Sequence, residues 1–138
     1  MSSSSYSIAD LQRVPVGVAA RFKSIGIRTT GRLLERAKDP KGRKHLAERT
    51  GFEEKEILRL ANKVDRMRIK GVGEDYAELL EAAGVDTVKE LKYRNPHNLA
   101  KAMADANVKR KLVRLLPSEV VVVRWIEDAR KLPLKITY

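Results

Sequence analysis

At 138 residues the chain has the size of one ordinary domain. With 43% apolar and 34% charged residues, and no aliphatic run longer than Val120 to Val123, it is neither a disordered tail nor a membrane-spanning protein. Cysteine is absent, which excludes disulfides, thiol nucleophiles and Cys-containing zinc sites, and a formal charge of +11 suits a partner that is a polyanion such as nucleic acid.

Residues 1–10 open on Met1 and four serines, with no apolar stretch of a secretory signal. They read as a flexible leader, and the protein as cytoplasmic. Asp39-Pro40 and Asn95-Pro96 each place a capping residue before a proline at the first helical position, where its missing N–H costs nothing. Thr87-Val-Lys-Glu90 predicts a capping box. Ser118-Glu119 predicts the start of a last long helix. Val120 to Val123 would suit a strand, but Trp125, Ile126 and Ala129 continue at helical spacing.

The chain also resembles itself. At an offset of 58, residues 11–34 lie over 69–92 with five identities: Val14/Val72, Ala19/Ala77, Gly26/Gly84, Thr29/Thr87 and Leu33/Leu91. Further on, Ile57 to Ala61 lies over Val122 to Ile126 at an offset of 65. The pattern predicts an all-α protein of two related copies of about 60 residues, too small to be generously stable alone and therefore sharing one core. The first copy is 11–67, the second 68–132, and 133–138 is a C-terminal tail that can serve as a docking strand or a strap. Phe22, Leu80 and Trp125 are expected in the core.

The most informative segment is Met67 to Val85. Gly71 and Gly73 permit positive φ and close backbone approach, Val72 pins the turn, Ala77 lets two helices meet, and Gly84 can end the second helix. Together with Ile69 and Leu80, these residues resemble the helix-hairpin-helix motif. The resemblance implies a nucleic-acid phosphate held by the amides of Gly71, Val72 and Gly73, flanked by Lys70 and Arg68. That agrees with the anion preference of helix N-termini. Against it stand Glu74, Glu78 and Glu81, which share a helix face where a phosphate would approach.

Residues 1–66 carry 15 cations and 8 anions, and residues 67–138 carry 14 and 10, so the charge leans to the first copy. Arg13 and Arg21 there, the cluster Lys41, Arg43 and Lys44, and the cluster Lys109, Arg110 and Lys111 with Arg114 are candidate phosphate contacts. Lys109 and Arg110 are expected on a helix whose Leu112 and Leu115 face inward. His45 and His97 have no metal-ligand spacing, no phosphate-binding loop of the Gly-x-x-x-x-Gly-Lys type occurs, and adjacent acids such as Glu53/Glu54 diverge on a helix. No catalytic residue, metal or cofactor is therefore assigned.

The segments Gly17 to Thr30, Met67 to Gly73, Glu90 to Pro96 and Leu116 to Ser118 resemble the bacterial domain-of-unknown-function family 4332, a helix-hairpin-helix group. That resemblance implies a fold and no activity. The functional expectation is non-sequence-specific binding of nucleic acid, DNA ahead of RNA, through its phosphates. The alternative is a protein–protein adaptor or self-assembling module that docks the acidic 74–81 helix on a basic surface.

Overall fold

The computed structural model describes residues 3–138. A single 3-10 turn at Ile8–Asp10 precedes eight helices: α1 (Val18–Ser24), α2 (Thr30–Ala37), α3 (Pro40–Thr50), α4 (Glu54–Arg66), α5 (Glu74–Ala82), α6 (Val88–Leu91), α7 (Pro96–Arg110) and α8 (Glu119–Lys131). The described residues contain no strand, only an isolated antiparallel bridge between Ser7 and Thr29, so the fold is all-α. No helix among them is long and apolar enough to cross a membrane.

Local chemistry accounts for most of these boundaries. Asp39 accepts a hydrogen bond from Gly42 N–H at 2.7 Å, Asn95 from Asn98 N–H at 3.0 Å and Ser118 from Val121 N–H at 3.3 Å, each at the start of its helix. The valine-rich segment is helical because Val122, Trp125, Ile126 and Ala129 form one buried stripe, which a strand would divide between two faces. Ile57, Leu60, Ala61 and Val64 form the corresponding stripe of α4. Gly26 and Gly84 hold φ of 86° and 94°, and the residue after each donates to the carbonyl five positions back, Ile27 to Phe22 and Val85 to Leu80, both at 2.9 Å.

The capping box expected at Thr87 does not form. The Thr87 hydroxyl contacts the Glu90 carboxylate, and the N–H of Val88 donates instead to Asp65 Oδ2 at 2.8 Å. A carboxylate on α4 thus caps α6 from across the molecule.

The apolar residues form two clusters rather than the one shared core expected. Ile8, Phe22, Leu33, Leu46 and Ile57 belong to the first, and Ile69, Leu80, Leu91, Leu99 and Trp125 to the second; half-buried Val14 touches both. Phe22, Leu80 and Trp125 are buried as expected. Between the clusters runs a seam of buried charge. Asp65 and Arg68 pair at 2.8 Å. Arg66 donates to the carbonyls of Ala77 and Asp86, both at 2.8 Å, so a guanidinium from α4 joins the first half of α5 to the segment before α6.

The segments flanking the helices are bonded in. The N–H of Ser4 donates to the Arg68 carbonyl at 3.1 Å and that of Ile8 to the Arg28 carbonyl at 2.9 Å. The tail acts as a strap: Thr137 N–H donates to the Lys38 carbonyl at 2.8 Å, Arg43 Nη2 donates to the Thr137 carbonyl at 2.7 Å, and Lys135 pairs with Glu35.

Candidate nucleic-acid interface

The turn between α4 and α5 is built by three short backbone bonds: Arg68 N–H to Asp65, Ile69 N–H to Arg66 and Val72 N–H to Ile69. Ile69 and Val72 are fully buried beneath it. Gly71 has φ of 88°, the left-handed region that a side chain would strain, whereas Gly73 is an ordinary extended residue. Among the described residues, the N–H groups of Gly71 and Gly73 have no protein acceptor. Gly73 caps α5, whose first-turn amides also lack helical partners.

The acidic helix does not oppose this turn as its sequence suggests. Glu74 faces back toward the N-terminal segment, accepting from the N–H of Gln12 at 2.7 Å and of Arg13 at 2.9 Å. Lys63, buried in the seam, donates to Glu74 at 3.0 Å and to the Arg13 carbonyl at 2.6 Å, and forms an ion pair with Glu78 at 2.6 Å. Burial alone would raise the Glu74 carboxyl, but the two amides and the Lys63 ammonium hold it below its ordinary value. Glu81 approaches Arg66 at 3.9 Å, and Asp75 pairs with Arg13 at 3.3 Å.

Beside the turn lies a groove of about 820 Å³ between the start of α5, the 111–118 loop and α8. Tyr76, Leu115, Leu116, Val121 and Trp125 supply its apolar wall. Lys70, Arg124 and Lys131 supply cations, with Glu127 and Asp128 between them. Asp128 Oδ2 accepts the Lys70 N–H at 3.1 Å and so anchors the turn to α8.

The expected contacts therefore separate. Lys70 and Gly71 are exposed and Gly73 is half-buried, so these three can reach a ligand. Val72 cannot, because its side chain is buried and its N–H is used within the turn. Arg68 is not a flanking cation: it is 3% exposed and donates to Asp65 and to the Pro133 carbonyl. Arg43 is likewise buried and binds the tail. Arg13 stays near the turn through Asp75, while Arg21 lies over the Phe52 ring at 4.8 Å and donates to the Thr50 carbonyl. Lys109 and Arg110 line a shallow groove beside Ala82 and Ala83, at the other end of α5, about 13 Å from Gly73 by helix rise. Lys111 ends α7 in a left-handed conformation, and Leu115 is 76% exposed rather than inward because the helix has already stopped.

Arg124 and Lys131 were not among the expected contacts. Arg124, Asp128 and Lys131 stand at i, i+4 and i+7 on α8, a spacing that puts them on one face beside Lys70. That periodicity is the signal by which they could have been found.

Neither a curated protein nor a solved structure matches the chain. The family model described as Domain of unknown function (DUF4332) does match, over residues 14–132, and the chain belongs to that family.

Proposed function

We propose that the protein binds nucleic acid, DNA ahead of RNA, through phosphates and without reading base sequence, using the Lys70–Gly73 turn as a helix-hairpin-helix contact. The observation that carries this reading is the pair of unpartnered N–H groups on Gly71 and Gly73, at the head of α5 and beside Lys70, Arg124 and Lys131. Withdrawal of Glu74 and Glu78 onto Lys63 reduces the negative charge that would repel a phosphate there. On this reading α1–α4 and α5–α8 descend from one duplicated unit. The Gln12 and Arg13 amides of the first turn then hold the carboxylate of Glu74 where the second turn would hold phosphate. Glu74 and Glu78 pair with Lys63 within the chain, which favours this reading over an adaptor role for the acidic helix.

Salt-dependent binding of labelled duplex and single-stranded oligonucleotides tests the proposal. The logarithm of affinity should fall by about 0.9 per decade of salt for each duplex phosphate neutralised. Lys70→Glu should weaken binding and lower that slope by about one. Reversing Lys109, Arg110 and Lys111 should weaken it less. Absence of binding to every oligonucleotide at low salt would refute the proposal.

A further inference from the structure

We infer that the groove beside the turn accepts an unpaired nucleobase, so that the protein prefers nucleic acid with a single-stranded end over continuous duplex. This rests on the phosphate-binding reading and adds a base site to it.

Trp125 is 3% exposed as a residue, but its indole N–H, which donates to no acceptor among the described residues, is not sealed off from solvent. The indole nitrogen lies 3.5 Å from where a Cβ on Gly71 would stand, so the bare glycine leaves that edge open to the groove. The indole can only donate, so this edge is open to any acceptor that enters the groove. Nucleobase carbonyls and ring nitrogens are such acceptors.

The groove walls suit the rest of a base. Tyr76 packs against Trp125 with ring centroids 5.3 Å apart, and its hydroxyl donates to the Leu115 carbonyl at 2.8 Å, fixing the loop that forms the opposite wall. Leu115 is 76% and Leu116 40% exposed, so two large aliphatic side chains face solvent at the mouth. The volume of about 820 Å³ lies within the ordinary range for small-ligand sites and exceeds the needs of one base. Lys70, Arg124 and the free Gly71 N–H stand in the same groove, within reach of the phosphate attached to that base. A purely apolar ligand would leave these donors unanswered, and a base stacked inside a duplex could not enter.

The test compares three labelled probes at fixed low salt: a blunt duplex, the same duplex with a single-stranded thymidine tail, and the same duplex with an abasic tail of equal phosphate number. The thymidine-tailed probe should bind about ten-fold more tightly than either of the others. Trp125 is the only tryptophan in the chain, so its fluorescence should respond to the thymidine tail and not to the abasic one. Leu115→Ser, at an exposed position, should abolish the preference while leaving blunt-duplex binding intact, and Trp125→Phe, which removes the donor edge together with part of the ring, should abolish it as well. Equal affinity for thymidine and abasic tails, with salt-dependent duplex binding retained, overturns the base site alone. No binding by any probe overturns the phosphate reading with it.

Discussion

The backbone N–H of Arg13 donates to Oε2 of Glu74 at 2.9 Å, across 61 positions of chain. Glu74 also receives Gln12 N–H and Lys63, so one carboxylate joins the N-terminal segment, α4 and α5. Glu74→Gln keeps an acceptor but loses the charge, and should lower stability by about 1–2 kcal/mol in urea denaturation. Lys63→Met should cost more, about 3–5 kcal/mol, because it leaves two largely buried carboxylates facing each other. Unchanged denaturation midpoints would show that the clasp contributes nothing.

The same carboxylate sets an acid limit. Its folded value lies below the ordinary 4.5, so its contribution is complete above that pH and is lost as pH falls through the lowered value. Glu35 is also lowered, through its hydrogen bonds to Lys135 and Lys38, but it is exposed and adds little. Unfolding free energy measured from neutral pH downward should begin to fall below about pH 4.5, and Glu74→Gln should flatten the decline. A decline of equal steepness in both proteins would contradict this.

Gly42 occupies the first turn of α3, where a Cβ would stand 2.2 Å from the carbonyl oxygen of Arg36. Alanine normally favours a helix over glycine by about 1 kcal/mol. Here a backbone atom blocks it, and overpacking of this kind costs about 1–3 kcal/mol, so Gly42→Ala should be net destabilising. Gly31→Ala in α2 is the control, because its closest neighbour is the Ser5 hydroxyl at 3.0 Å, which can rotate away. Thermal melts of the two variants should shift in different directions or by clearly different amounts.

Arg66 is 1% exposed and spans from α4 to the Ala77 and Asp86 carbonyls. Burial lowers its pKa, opposed chiefly by Glu81. Arg66→Leu should cost about 3–5 kcal/mol, since it strands both carbonyls and the facing acid. Arg66→Lys should recover only part of that, because one ammonium cannot reproduce the two-way fork of a guanidinium. Full recovery by lysine in a denaturation experiment would mean that charge alone matters at this position.

The helices were legible where their signals are local. Asp39, Asn95, Ser118, Gly26 and Gly84 act within a few residues of themselves, and the stripe from Val122 to Ala129 repeats with the helix. The charged seam was not. Arg66 and Arg68 look like surface cations: Arg68 has Asp65 three residues before it, but the acceptors that bury the pair arrive from Ala77, Asp86 and Pro133, far along the chain. The same holds for Thr87, whose role is taken by Asp65, and for Glu74, whose amide partners lie far upstream. Of the candidate site, the turn itself was readable from its glycines. The cations of α8 share a face that their spacing shows, but that this face and the Trp125 edge lie beside Gly71 was not readable, because they meet it only after α8 folds there.

The two ends of the chain are each fastened to the opposite half: Ser4, Gln12 and Arg13 bond to residues beyond α4, and Lys135 and Thr137 bond to α2 and the residue after it. The molecule is thus a closed loop latched at both ends. A cut in the turn after α4 would yield two fragments that each carry a latch for the other, so reassociation on mixing is the expected behaviour. Tension applied at the two ends would load these latches together with the clusters, because Ile8, Leu11 and Ile136 lie among the latch residues and pack into the two cores.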